Sequence, residues 1–218
     1  MEVGGALFTY QDSTVIVGGT FLENEAWSGG AIAASAGNLS GSSDIQVINS
    51  TFSENTSSFN GGAIYCSAAN NMTVLNCTFY GNTADSIGHS LYNASSTSLV
   101  YNSILWGDDT GQLEGMPQLS ADYCVIRGGF MHGSNIITDD PELGPLADNG
   151  GPTLTHAITS LSSAYSLPKD AGDTDWNGSP DIDQRGFQRA SAGFRAIGSF
   201  EPEYVRTSID ATIWKVFD

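Results

Sequence analysis

At 218 residues the chain is long enough for one well-buried domain or for an elongated array with a cap, and it holds no run of about 18 apolar residues to span a bilayer as a helix. Gly, Ser, Thr and Asn abound while only 14% of residues are charged, which counts against a helix-rich fold. The formal charge is −17, and residues 1–126 carry eleven acids without a single Lys or Arg. That balance works against nucleic-acid and anionic-membrane binding and suits cations, calcium especially; alternatively, the acids only keep a repetitive β surface soluble and block edge pairing.

The opening, MEVGGALF, lacks a basic start and a long apolar core, so no secretory signal is visible, and Gly4-Gly5-Ala6-Leu7 reads as the middle of a repeat of a longer parent protein. Thr20-Phe21-Leu22-Glu23-Asn24 follows, then Gly29-Gly30-Ala31-Ile32. A loop at Asn38 to Ser43 precedes the alternating run Ile45 to Asn49 and Thr51-Phe52-Ser53-Glu54-Asn55. The order then recurs as Gly61-Gly62-Ala63-Ile64, Met72 to Asn76 and Thr78-Phe79-Tyr80-Gly81-Asn82, and more loosely as Gly88-His89-Ser90-Leu91 and Ser103-Ile104-Leu105-Trp106-Gly107. Positions 20, 51, 78 and 103 are 31, 27 and 25 residues apart, so the period varies while the order does not, and a loop from Asp108 to Gln118 absorbs further variation.

Short β-branched runs without a helical stripe imply three strands and three turns per period, that is, an all-β, right-handed parallel β-helix with a C-terminal capping region. Like residues then stack rung on rung. Val17, Val47, Val74 and Val100 are expected to form one interior row, and Phe21, Phe52, Phe79 and Ile104 another. Asn49, Asn76 and Asn102 fall at one left-handed corner and Asn24, Asn55 and Asn82 at the next, their amides bonding along the stack. The Gly pairs mark a third corner. Asn49 and Asn76 lie in glycosylation sequons but belong to the interior row, so they are expected to be structural. Cys66, Cys77 and Cys124 have no metal-type spacing and read as small buried hydrophobes.

The interleaved GGAL, GGAI, GGAI and FLEN, FSEN, FYGN motifs resemble the repeats of polymorphic outer membrane proteins and related bacterial β-helix surface proteins, over roughly residues 4–107. The resemblance implies a secreted or surface-displayed passenger domain associated with adhesion. Residues 139–201, with DPELGPLADNGGPT, DQRG and AIGSFE, resemble the choice-of-anchor type module that continues and closes the coil in large bacterial surface proteins. The expected division is thus coil rungs over 1–138, a closing module over 139–204 and a tail over 205–218. Arg185, inside Asp183-Gln184-Arg185-Gly186, is expected to pair with a neighbouring Asp.

Candidate chemistry is sparse. Asp173, Asp175, Asn177, Asp181 and Asp183, with Gly178 between them, match the oxygen spacing of a calcium loop, but Gln184 stands where a bidentate Glu belongs, which leaves calcium loop and Asx-rich turn both open. Tyr65, Tyr80, Tyr92, Tyr101 and Trp106 are candidates for stacking on a glycan, and Asp108 and Asp109 are the clustered acids, with Glu114 nearby. The candidate ligand-binding set is Tyr65, Tyr92, Trp106, Asp108 and Asp109; no catalytic set assembles from spacing. The function expected is that of a non-catalytic secreted or cell-surface platform, adhesin-like or structural. Its partner would be an extracellular glycan or a host or cell-surface protein, with no nucleic acid and no membrane insertion. The alternative is a polysaccharide hydrolase or lyase whose carboxylates converge only in three dimensions.

Overall fold

A computed structural model describes residues 3–10, 12–35, 44–67, 71–94, 97–115, 118–159, 162–165, 181–189 and 196–202; the loop at Asn38 to Ser43 lies outside them. The described part of residues 3–138 winds into five stacked rungs. The first holds β1 (Leu7–Tyr10), β2 (Thr14–Val17), β3 (Thr20–Leu22) and β4 (Glu25–Ala26), and the second β5 (Ile32–Ser35), β6 (Asp44–Ile48), β7 (Thr51–Ser53) and β8 (Thr56–Ser57). The third holds β9 (Ile64–Ser67), β10 (Asn71–Leu75), β11 (Thr78–Tyr80) and β12 (Thr83–Ala84). The fourth and fifth drop the short last strand, with β13 (Leu91–Asn93), β14 (Ser98–Tyr101) and β15 (Ile104–Trp106), then β16 (Leu113–Gly115), β17 (Leu119–Asp122) and β18 (Val125–Ile126); β19 (Gly133–Ser134) starts a further turn. Like strands pair in parallel up the stack, giving sheets β1-β5-β9-β13-β16, β2-β6-β10-β14-β17-β19, β3-β7-β11-β15-β18 and β4-β8-β12.

Interior rows fill the coil as expected of stacked rungs. Phe21, Phe52 and Phe79 stack with centroids 4.7 Å apart and planes within 5°, the strand spacing expressed in ring faces. Two rows are shifted by one residue from the sequence expectation. Ile16, not Val17, pairs with Val47, so the row runs Ile16, Val47, Val74, Val100, and Val17 points outward at 63% exposure. Leu105, not Ile104, continues the phenylalanine row, because Ile104 pairs with Thr78. The cause is the left-handed corner. Gly18 (φ 69°) holds the place taken by Asn49, Asn76 and Asn102 (φ 46°, 52° and 48°), and aligning on that residue sets every neighbour.

After the corner comes a row of small residues, Gly19, Ser50, Cys77, Ser103 and Cys124, all but the glycine carrying a side-chain donor. Ser50 Oγ and Ser103 Oγ each donate to the carbonyl two residues back at 2.8 Å, and the Cys77 and Cys124 thiols do the same at 3.3 and 3.2 Å. All three cysteines are free and fully buried, and burial pushes each thiol up to about 12, which makes them inert packing groups.

At the second corner the left-handed residues are Glu23, Glu54 and Gly81, and the asparagines beside them make the ladder. Asn55 Oδ1 accepts from the Asn24 side chain at 2.8 Å and from its backbone N–H at 3.0 Å, and Asn82 Oδ1 serves Asn55 at the same distances. At the third corner the two glycines have different duties. Gly4, Gly29, Gly61 and Gly88 take positive φ, whereas a Cβ on Gly30 or Gly62 would lie 2.2 or 2.1 Å from a carbonyl oxygen of the next rung. His89 occupies the second position one rung higher because the short sheet ends at β12, and its Nδ1 accepts from the Ala84 N–H at 3.1 Å.

The top of the interior is closed by Phe130 and Ile136, which pack against the core. The region expected to close that end lies instead along a flank, on the outer face of β3, β7, β11, β15 and β18. There Ile158, Ala164, Ala196, Ile197 and Phe200 bury Ile104, Trp106 and Val125. A two-stranded hairpin, β20 (Leu146–Ala147) and β21 (Thr155–His156), extends this cover downward. Arg185 pairs with Asp183 at 2.8 Å, as expected from the sequence, with its guanidinium over the Phe200 ring at 3.7 Å.

Candidate binding face

The repeat that follows each Gly corner presents its next residue but one outward on the first sheet. Phe8, Ala33, Tyr65, Tyr92 and Glu114 therefore form one line up the coil, in register across β1, β5, β9, β13 and β16. Tyr65 and Tyr92 stack at 5.9 Å with planes 15° apart, and Phe8 and Tyr10 lie 6.3 Å apart at the lower end, about half exposed. Ala33, in register between Phe8 and Tyr65, is 1% exposed, so the line holds two aromatic pairs separated by a buried alanine. Across the Gly corner, Trp27 and Phe59 make a second exposed stack at 5.7 Å. Exposed aromatic rings grouped in this way make the flank the candidate face for stacking on a ligand.

Of the expected ligand set, Tyr65 and Tyr92 come together on this face. Trp106 does not: it is 7% exposed, packed under the C-terminal region with the Arg127 guanidinium 5.3 Å from its ring. Tyr101 is likewise buried and Tyr80 packs on the His156 ring at 4.7 Å. Asp108 and Asp109 are exposed on the loop between β15 and β16, which Gln112 ties down by donating to the Asp109 carbonyl at 2.8 Å. The acid brought beside the tyrosines is Glu114, one rung above Tyr92. Phe8 was legible too, because it follows Gly4-Gly5-Ala6-Leu7 as Tyr65 follows Gly61-Gly62-Ala63-Ile64.

Of the proposed calcium ligands, Asp173, Asp175 and Asn177 lie outside the described residues and Asp181 is exposed. Asp183 is 2% exposed and committed elsewhere: Oδ1 accepts from the Arg185 and Phe187 backbone N–H groups, and Oδ2 accepts from Arg185 Nε and the Glu201 N–H, at 2.9–3.0 Å. A cation there would have to displace Arg185. Among the described residues no group of three His, Cys, Asp or Glu side chains is placed to hold a metal. Glu23 and Glu54 stand one rung apart, but on a convex corner, both exposed, where no groove seats a sugar between them.

His156 resembles a general base in its contacts but not in its access. Its Nδ1 faces the Gly144 carbonyl at 2.8 Å and so carries the proton, leaving Nε2 to accept from Ser53 Oγ at 3.0 Å. Ser53 is fully buried and His156 2% exposed, which leaves no room for a substrate. Burial lowers the His156 pKa from 6.5, opposed by the Gly144 carbonyl and the Glu54 charge. A histidine kept neutral in the folded state gives its full stability above about 6.5 and loses it as the pH falls below that value towards the folded pKa. Thermal unfolding at pH 7.5 and 5.0 is therefore expected to show a smaller acid loss for His156→Gln than for the parent chain; equal losses would remove His156 from the cause.

Residues 3–138 match a protein-family model described as the right handed beta helix region. No curated protein and no solved structure matches the chain.

Proposed function

The chain belongs to the right-handed β-helix family, and from that premise we propose that it is a non-catalytic platform, secreted or displayed on a cell surface, which binds glycans on the flank formed by β1, β5, β9 and β13. The observation that carries this reading is the line of Phe8, Tyr65 and Tyr92 in register on one sheet, with Tyr10 beside Phe8 and Glu114 one rung above Tyr92. Aromatic rings offer flat apolar surface to the C–H faces of a sugar at small entropic cost, while a carboxylate accepts from its hydroxyls. The coil has no Lys or Arg before Arg127, so neutral glycans fit and polyanionic ones are repelled.

The test is a glycan array with and without calcium, followed by titration of any hit against Tyr65→Ala and Tyr92→Ala. Each substitution is expected to weaken binding roughly two- to ten-fold, from about 0.5–1.5 kcal/mol of lost ring contact, without lowering the melting temperature by more than a few degrees. Binding unchanged in both variants would move the ligand off this face. Release of reducing sugar from a bound glycan would replace the platform with an enzyme.

A further inference from the structure

We infer that the C-terminal region is a strap that ties the rungs into one cooperative unit, a property independent of which ligand the coil carries. Its anchors ascend the coil. On the first rung Thr153 Oγ1 donates to the Gly18 carbonyl at 2.9 Å, and Thr20 Oγ1 donates to the Leu154 carbonyl at 2.6 Å. On the second, Asn49 Nδ2 donates to the Ile182 carbonyl at 2.8 Å and Ser53 meets His156. On the third, Thr78 Oγ1 accepts from the Ser199 backbone N–H at 3.0 Å. On the fourth, the Gly198 N–H donates to the Asn102 carbonyl at 2.9 Å while Ile104 and Trp106 are buried against Ile158 and Ile197; Val125 of the fifth joins that cluster.

Two side chains splice rungs together. Gln184 Nε2 lies 3.3 Å from the Gly19 carbonyl and 3.0 Å from Thr20 Oγ1, while its Oε1 accepts from Thr51 Oγ1 at 2.6 Å, so one amide bridges the first and second rungs. Arg189 Nη2 donates to Asn49 Oδ1 at 3.1 Å and to the Gly198 carbonyl at 2.8 Å, so one guanidinium joins the second rung to the segment that holds the third and fourth. The threonine that begins each Thr-Phe motif thus has an outward task. Thr20, Thr51 and Thr78 form a polar rail, continued as apolar by Ile104 and Val125.

A plain solenoid is held by nearest-neighbour contacts, so its terminal rung opens first and alone. A strap anchored on several rungs removes that freedom, since the first rung cannot open without breaking bonds whose other ends are fixed higher up. Hydrogen exchange on the whole chain tests this. In the parent protein the slowest amides of β3, β7, β11 and β15 are expected to exchange with one common opening rate. In Gln184→Ala those of β3 are expected to exchange at least about ten-fold faster than those of β11. Graded rates in the parent, fastest at the first rung, would overturn the strap, as would acceleration in Gln184→Ala confined to residues 181–201. Should Gln184→Ala not fold, Thr153→Val removes the bond that Thr153 Oγ1 donates to the Gly18 carbonyl and the one it accepts from Gln184 Nε2, both at 2.9 Å, while leaving the Gln184 bridge to Thr20 and Thr51 in place; exchange of β3 unchanged in that folded variant would equally overturn it.

Discussion

Gly62→Ala is expected to leave no stably folded protein, although it adds a single methyl group. The new Cβ would lie 2.1 Å from the His89 carbonyl oxygen and 2.5 Å from that of Thr83, both backbone atoms of the strands around the next corner. Neither atom can move aside as a side chain would, because each rung is held to its neighbours by the hydrogen bonds that set the strand spacing. The Gly62 N–H itself bonds the Gly88 carbonyl at 3.1 Å. Relieving the clash means prising two rungs apart across the corner, and steric strain of that kind exceeds about 4 kcal/mol, against a total stability on the order of 5–15 kcal/mol. The control is His89→Gly, at the equivalent position one rung up. There the loss is the Ala84 N–H bond to the ring, about 1 kcal/mol, and the extra chain entropy of a glycine, about 0.5–1 kcal/mol, with no steric clash. Circular dichroism and urea unfolding of both variants decide the matter; a Gly62→Ala protein as stable as His89→Gly would refute the corner argument.

Arg185→Ala is the second large effect. The Asp183 and Arg185 side chains are 0% and 5% exposed, so removing the cation strands a buried carboxylate rather than a solvated one. The loss includes the bond from Arg185 Nη1 to the Asn149 carbonyl at 3.0 Å, the bond from Nη2 to the Glu201 carbonyl and the stack on Phe200. Breaking one side of such a pair costs about 3–5 kcal/mol, equivalent to a fall of roughly 6–20 °C in melting temperature for a chain of this size. Arg185→Lys is expected to recover little, since an ammonium cannot make the forked contacts or lie flat on the ring. In a double-mutant cycle with Asp183→Ala the two losses should be far from additive; additive losses would mean the pair is incidental.

The coil was legible in the sequence because stacking makes neighbouring rungs demand like residues, and Phe21, Phe52 and Phe79 or Gly29, Gly61 and Gly88 announce that demand in constant order although the spacing varies. The two row shifts arose where one residue type stood in for another. Gly18 does the left-handed work of Asn49, and Ser103 belongs with Ser50 and Cys77 rather than with Thr51 and Thr78. Anchoring on the positive-φ corner instead of the nearest valine corrects both.

The flank cover was not legible, because its contacts join residues such as Gln184 and Thr51 that are 133 positions apart and carry no period. Thr51 and Thr78 read equally well as ordinary strand residues, and Gln184 as the wrong residue in a calcium loop. Trp106 was misplaced for the same reason, since nothing local to β15 tells that another segment covers it. The aromatic flank was half legible. Tyr65 and Tyr92 share a motif position with Phe8, but Ala33 interrupts the line, and the register that sets all four on one sheet comes only from the strand pairing.

The glycan platform itself is tested most directly by incubating the whole protein with a neutral oligosaccharide that it retains on an array, then measuring both the bound fraction and the length of the recovered chains. The expected result is retention that falls in Tyr65→Ala and Tyr92→Ala, with every recovered chain at its original length. Shortened chains, or retention indifferent to both tyrosines, would contradict it.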